Sequence, residues 1–330
     1  MEHLVDLHDV TTDRDGSPVR VAVHHLVGGD GPRLGLVGAQ HGDEWYVVRA
    51  MYELVRRAKD WPFTGTLSLV PVASPPALRD GTRITQASAD EPDMNRIWTS
   101  ERTWLTSQIV KTLAAEVIDK CDAVIDFHLG IWGSTFAGVC YAGDYPDRAV
   151  SERSRELAYA YGYQCVERLE LMGVFPGPKS LAGYAGARLG IPAIGVEVGG
   201  AGFDLDQERE WLESFITGVR NVMSAMGMLH QDPPPASRVL ETGPTIIVTP
   251  RNGGLMIPAR EPEQLMRRVE KGELLASIIS PQTLEPVEEL VAPQGGWLFC
   301  AARCYLVRPG DWAFAIAPEQ GAEWTDRTNL

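Results

Sequence analysis

The turn Gly38-Ala39-Gln40-His41-Gly42-Asp43-Glu44 follows the apolar run Leu34-Gly35-Leu36-Val37 and precedes a helical pattern from Trp45 to about Ala58. A strand ends here in a glycine-bearing turn that opens a helix. His41 falls in the turn and Glu44 in the first helical turn. They are three residues apart, a spacing that lets both side chains converge on one point. One imidazole and one carboxylate make half of a metal site. The His/His/Glu set that holds catalytic zinc, with a fourth position open to water, needs a second histidine from elsewhere in the chain. The strand Ala123-Val124-Ile125-Asp126-Phe127 ends on His128, which can supply it. A further apolar strand from Gly190 to Val198 carries one charged residue, Glu197, where the chain gives way to Gly199-Gly200-Ala201-Gly202.

An acid in the first turn of a helix also has a plain electrostatic reason to be there, so His41 and Glu44 alone fit an ordinary helix N-terminus. The four residues together make a stronger case. His41, Glu44, His128 and Glu197 each stand just beyond the carboxyl end of a predicted strand, where open α/β sheets bind ligands. Asp126 shares a strand face with His128, which suits either an orienting contact to the imidazole or a structural hydrogen bond. From Ala73 to Ser100 periodicity is lost, well beyond the usual connection of about 4–6 residues, and such loops are generally functional or disordered. The loop carries Arg79, Arg83, Asp93, Asn95 and Arg96. A purely solvated arginine fits Arg79 best.

The elements that must position these residues read as follows. Val19 to Val37 forms two short strands split by Gly28-Gly29-Asp30-Gly31-Pro32, and Gly65 to Val72 is another strand beyond the first helix. Strand, helix, strand in that order is a right-handed parallel unit, and the class is α/β. Further helices are expected over about Glu101–Lys120, Arg148–Tyr161 and Asp206–Gly227, with a short strand near Gln164–Arg168. Gln231-Asp232-Pro233-Pro234-Pro235-Ala236-Ser237 reads as a semi-rigid linker between a catalytic α/β domain, residues 1–230, and a second domain, residues 239–330. There, Pro250-Arg251-Asn252-Gly253-Gly254-Leu255 is echoed by Pro293-Gln294-Gly295-Gly296-Trp297, and Val269-Glu270-Lys271-Gly272-Glu273 by Val307-Arg308-Pro309-Gly310-Asp311. Two hairpin-rich halves are expected to fold on each other as a small β-barrel, similar to biotinyl and lipoyl carrier domains. Lys271, in a turn, lacks the flanking methionines of a biotin site, which disfavours a carrier role.

A chain of 330 residues that is 44% apolar can bury a substantial core. A formal charge of -14 argues against a polyanionic partner, so nucleic acid is not expected. The start of the chain carries no signal-peptide pattern and no run reaches membrane-spanning length, so no membrane contact and a cytoplasmic location are expected. Five cysteines at irregular spacing fit reduced thiols. Cys300 and Cys304 are either half a metal site or ordinary strand residues.

The set Gln40-His41-Gly42-Asp43-Glu44, Gly81-Thr82-Arg83, Asp93-Met94-Asn95-Arg96, Asp126-Phe127-His128 and Glu197 resembles the succinylglutamate desuccinylase/aspartoacylase family, relatives of the zinc carboxypeptidases. The likeness spans roughly Leu34 to Gly227, and the β-rich tail matches the family's second domain. It implies a zinc-carboxypeptidase-like mixed sheet flanked by helices, followed by a small all-β barrel-like domain. By that resemblance His41, Glu44 and His128 hold one zinc ion per chain, Glu197 is the general acid/base and Arg83 polarises the scissile carbonyl. Asn95 and Arg96 would hold a substrate carboxylate, with Tyr184 and Arg188, four apart on a helix before Glu197, as a further substrate-contacting pair. No H-E-x-x-H is present, which excludes a thermolysin-like template. The expected activity is zinc-dependent cleavage of the amide of a small N-acyl amino acid. The Gly-Thr-Arg segment and the glycines after Glu197 resemble deacetylases of N-acetylated diamino acids. A metallocarboxypeptidase acting on peptides and a zinc-free binding protein are the alternatives, and a homo-oligomer is compatible with the sequence.

Overall fold

The computed structural model describes residues 1–86, 92–130, 134–170, 177–200, 205–230, 238–259 and 265–326. β1 (Glu2–Thr12) and β2 (Pro18–Val27) form an antiparallel hairpin, and β3 (Arg33–Val37) leads into α1 (Tyr46–Ala58), β4 (Thr66–Val70) and α2 (Pro75–Asp80). Next come α3 (Leu105–Glu116), β5 (Ala123–Gly130), β6 (Ser134–Asp144), α4 (Arg148–Tyr161) and β7 (Cys165–Glu170). The one-turn helix α5 (Leu181–Gly183), β8 (Ala193–Gly200) and α6 (Leu205–Ala225) complete this part.

The sheet order is β1-β2-β4-β3-β5-β8-β6, with β4, β3, β5 and β8 mutually parallel, β2 antiparallel to β4, and β6 antiparallel to β8 but parallel to β7. Strands β4, β5 and β8 are buried at every position, which is why they read as apolar runs without alternation. On one face, Met51 and Leu54 of α1, Leu157 and Tyr161 of α4, and Phe215, Val219 and Met223 of α6 form a core with the strands. On the other, Ile109, Val110 and Leu113 of α3 pack with Met94, Trp98 and Leu181. Helix α1 shows how the pattern works: Val47, Ala50, Met51, Leu54 and Ala58 recur at helical spacing and all are buried.

From Arg238 onward the elements of the described residues are all strands, with β9 (Arg238–Thr242), β10 (Ile246–Val248), β11 (Gly254–Pro258), β12 (Arg267–Val269) and β13 (Leu274–Ile279). β14 (Pro286–Val291), β15 (Gly296–Ala302), β16 (Tyr305–Val307), β17 (Phe314–Pro318) and β18 (Ala322–Asp326) follow. The internal repeat is visible in the pairing: Gly254 of one half lies opposite Val307 of the other, and Gly296 opposite Val269. Each half completes the other. These strands do not stand apart from the large sheet. The sheet β14-β13-β11-β16 is separate, but β15 pairs with β6, Cys300 opposite Phe136, and carries β17 and β10 onto the large sheet. The linker 231–237 lies outside the described residues. None of the five cysteines is in a disulfide; Cys300 is buried within β15 and Cys304 is exposed beyond it. No described helix is long and apolar enough to cross a membrane.

Candidate active site

The turn after β3 is shaped by close approach. A Cβ on Gly38 would lie 2.4 Å from Val47 Cγ1, and one on Gly42 would lie 2.0 Å from the Ala77 backbone, so the turn seats directly on α1 and α2. Between them Ala39 has φ 47°, a left-handed conformation that costs a non-glycine residue about 1–3 kcal/mol and is held only where its surroundings impose it. The Ala39 carbonyl accepts the Ser74 N–H and the Thr82 carbonyl accepts the Gly42 N–H. The result is that His41 and Glu44 stand at the carboxyl end of the parallel strands. The second pair comes from β5 and β8, where His128 lies opposite Glu197. Both were expected just past their strands; both lie inside them, because pairing continues to Gly130 and Gly200.

Glu44 is the hub. Its Oε1 lies 2.7 Å from His41 Nδ1 and its Oε2 lies 3.0 Å from His128 Nδ1, all three residues being buried. One ligand atom from each of the three lies within 4.8 Å of the others. The outward nitrogens face carboxylates: His41 Nε2 is 3.0 Å from Asp93 Oδ1, and His128 Nε2 is 3.0 Å from Asp126 Oδ2. Two imidazoles and a carboxylate around one point, each imidazole backed by a carboxylate on its far nitrogen, fit a zinc-type divalent ion. The triad could therefore hold a metal, and Asp126 makes the orienting contact.

Electrostatics follow from burial and these partners. Burial opposes the Glu44 anion, but His41 and His128 outweigh it and hold its carboxyl well below the ordinary range. Burial likewise opposes a charged His128 ring, yet Asp126 and Glu44 raise its pKa well above the usual value. Glu197 behaves differently. Burial pushes it up to about 8, with His128 opposing and Glu44 adding to the shift. The environments of the two glutamates drive their acidities apart, the pattern expected of a ligand and a proton carrier.

The loop arginines also converge. Arg83 Nη1 lies 3.3 Å from His41 Nδ1 and 3.5 Å from Glu44 Oε1, and its Nη2 lies 3.3 Å from Asp93 Oδ2. Arg96 donates to the Asn95 carbonyl at 2.8 Å, and its guanidinium lies within the electrostatic reach of Asp93, Asp126 and Glu197. Arg79 pairs with Asp13 and Asp80 at the surface, as a solvated arginine should. The Asn95 amide makes contacts within the chain. Its Nδ2 donates to Asp126 Oδ2 at 3.2 Å and its Oδ1 accepts the Leu181 N–H at 2.9 Å, so its amide is engaged behind His128. Tyr184 and Arg188 are not brought to the triad. The Tyr184 hydroxyl donates to Asp119, in the turn before β5, and the Arg188 guanidinium lies 6.0 Å from the Tyr184 ring. Asp119 sits at the end of β5 opposite His128, and among the described residues neither side chain contacts a ligand or Glu197.

Sequence reasoning missed the roles of Asp93, Gln40 and Trp98. Gln40 Nε2 donates to Asp126 Oδ1 at 2.6 Å, and Trp98 Nε1 donates to Gln40 Oε1 at 2.7 Å. Gln40 and Asp93 lay within motifs already singled out; the only available signal for Trp98 was its place at the end of the aperiodic loop.

Comparison with known proteins bears on this geometry. A family model described as the succinylglutamate desuccinylase/aspartoacylase catalytic domain matches residues 30–226. An N-alpha-acetyl-L-2,4-diaminobutyric acid deacetylase of Halomonas elongata is 27% identical over 188 residues, which cover 56% of this chain and 52% of that protein. The chain thus spans about half the length of this curated relative. The crystal structure of a succinylglutamate desuccinylase/aspartoacylase from Rhodobacter sphaeroides superposes with a TM-score of 0.80 at 21% identity, over 96% of this chain and 95% of that one. The product-bound ectoine utilization protein EutE (DoeB) from Ruegeria pomeroyi gives 0.79 at 22% identity, over 95% of each chain. At these identities the two structures speak for a shared fold.

Proposed function

The chain belongs to the succinylglutamate desuccinylase/aspartoacylase family, and from that premise we propose that it is a zinc-dependent hydrolase that cleaves the amide of a small N-acyl amino acid. The observation that carries this reading is the convergence of His41, Glu44 and His128 around one point, with Glu197 on the neighbouring strand and Arg83 against the triad. A divalent ion held by those three residues would supply Lewis acidity, acidifying water and polarising a carbonyl.

The remaining chemistry belongs to the chain. Glu197 is a buried carboxyl titrating near neutrality, suited to take the proton of the attacking water and return it to the departing amine nitrogen. Arg83 lies against the ligand atoms, where its guanidinium can face the oxygen that becomes negative as the carbonyl is attacked. Arg96 is the anchor for the substrate's own carboxylate, which its planar fork can hold bidentately. Asn95 serves by holding Asp126 and the loop in place. The products are a carboxylic acid and an amino acid. Among acyl amino acids we favour N-acetylated diamino acids, on the strength of the Halomonas relative. We read residues 1–230 as the catalytic unit and 239–330 as a second unit, since Met256, Leu275, Ile278, Leu298 and Phe314 share an apolar cluster drawn wholly from the latter.

The test is a panel of N-acyl amino acids and short peptides offered to the zinc-loaded protein. Release of free amino acid from N-acetyl diamino acids supports the reading. Release of C-terminal residues from peptides, with the N-acyl amino acids untouched, would make it a carboxypeptidase instead.

A further inference from the structure

We propose that Trp98 and Gln40 are positioning residues that set the tautomer and orientation of His128 for metal binding, acting through Asp126. The inference rests on the reading of His41, Glu44 and His128 as a metal site.

One hydrogen-bonded chain joins Trp98 to His128. An indole N–H can only donate. Trp98 Nε1 lies 2.7 Å from Gln40 Oε1, so the Gln40 amide must turn its oxygen to the indole and its NH₂ the other way. That NH₂ meets Asp126 Oδ1 at 2.6 Å, where Asp126 accepts. Its second oxygen accepts from Asn95 Nδ2 at 3.2 Å and lies 3.0 Å from His128 Nε2. Asn95 Nδ2 also stands 3.0 Å from Nε2, but it donates to the same Asp126 oxygen. The charged carboxylate outweighs a neutral amide as a neighbour, so the favoured arrangement puts hydrogen on Nε2, facing Asp126. In a neutral His128 the lone pair then resides on Nδ1, the nitrogen 3.0 Å from Glu44 Oε2 and directed into the triad. A group with no acceptor capacity at one end of the chain thus dictates which nitrogen is free at the other.

Burial gives the device its force. Trp98, Gln40, Asp126 and His128 are 3%, 1%, 3% and 5% exposed, so bulk water does not compensate a reversed link. Reversal would set the amide NH₂ against the indole N–H and the amide oxygen against a carboxylate. Trp98 is itself held firmly: its backbone N–H donates to the Lys179 carbonyl at 2.9 Å, and its ring packs among Met94, Leu181 and Tyr184. The same short segment sends Asp93 to His41 Nε2. The segment 93–98 therefore reaches the far nitrogen of both histidines, through Asp93 to His41 and through Trp98, Gln40 and Asp126 to His128.

The experiment measures zinc affinity by competition with a chromophoric chelator, in wild type and in Trp98→Phe, which keeps a ring but removes the donor, Gln40→Met, and the double variant. Each single variant should bind zinc about 10–100-fold more weakly, the scale for losing support behind a metal ligand. The double variant should be no worse than the poorer single, because the two residues act in series. Trp104→Phe, an exposed tryptophan off the chain, should bind like wild type. Affinities within about threefold of wild type for Trp98→Phe, or losses that add in the double variant, would overturn the proposal while leaving the metal site standing. Absence of zinc binding by wild type would instead refute the metal site, and the proposal with it. Should the variants fail to fold, the ¹⁵N spectrum of zinc-loaded wild type decides. Hydrogen on His128 Nε2 supports the chain, and hydrogen on Nδ1 refutes it.

Discussion

His128 and Glu197 are partners across the parallel β5–β8 pair, side by side on one face of the sheet, yet only the histidine has a carboxylate within reach of both its ring nitrogens. Glu197 is the member of the pair left to burial, which pushes it up to about 8. That division of labour gives the first prediction. Glu197→Gln should retain zinc at wild-type stoichiometry and lose at least about 10²-fold in kcat, the low end of general acid/base contributions. A variant within a few-fold of wild type would remove Glu197 from the chemistry.

Arg96 should make a free substrate carboxylate obligatory. Converting that carboxylate to a carboxamide should cost about 2–5 kcal/mol in kcat/KM, the scale for breaking a desolvated charge pair. Arg96→Lys should lose much of the same discrimination, because a point charge cannot reproduce the bidentate fork. Equal kcat/KM for acid and amide with wild type would mean the anchor lies elsewhere.

The turn beneath His41 should not tolerate a side chain at Gly42, whose added Cβ would meet the Ala77 backbone at 2.0 Å. Gly42→Ala should destabilise the fold by about 1–3 kcal/mol, as overpacking does, and weaken metal binding at the same time. Gly243→Ala, which meets nothing within 4 Å, is the matched control. Thermal unfolding of both variants makes the comparison, and equal melting temperatures would contradict the close approach.

A pH effect should come from outside the site. Glu167 on β7 is buried, accepts from the Thr245 N–H and hydroxyl at 3.2 Å each, and is pushed by burial up to about 7 from an ordinary 4.5. Between those values the folded state keeps a proton that the unfolded chain has released. Its contribution is therefore most favourable below pH 4.5 and is lost as pH rises through 7, by about 3 kcal/mol in all. Glu167→Gln should remove this part of the pH dependence. Urea unfolding at pH 5 and pH 8 would show it, and an unchanged difference between the two pH values would refute the assignment.

The sequence revealed what local periodicity carries and missed what depends on distant partners. Helices α1, α4 and α6 and strands β3, β4 and β7 follow from apolar spacing and turn chemistry. Strand β1 escaped notice because it lies at the sheet edge with Leu4, Val5 and Leu7 exposed, so no buried face imprints a period of two. Strand β6 interrupts its apolar residues with Ala137, Gly138 and Gly143, weak strand formers. The triad was legible because its ligands stand after or near the end of apolar runs, His41 and Glu44 beyond β3 and His128 late in β5. The contacts behind it were not: Asp93 is 52 residues from His41, and Trp98 is 58 from Gln40. Tyr184 shows the same limit: its hydroxyl turns to Asp119, 65 residues away, a hydrogen bond that no spacing announces.

The central claim is that His41, Glu44 and His128 hold the ion on which amide cleavage depends. Its most direct test is the release of free amino acid from Nα-acetyl-2,4-diaminobutyrate, measured before chelation, after it, and after zinc is restored. The account predicts turnover that falls to background on stripping, returns with about one zinc per chain, and does not return in His128→Ala. Undiminished turnover by the stripped protein, or full recovery in His128→Ala, would contradict it.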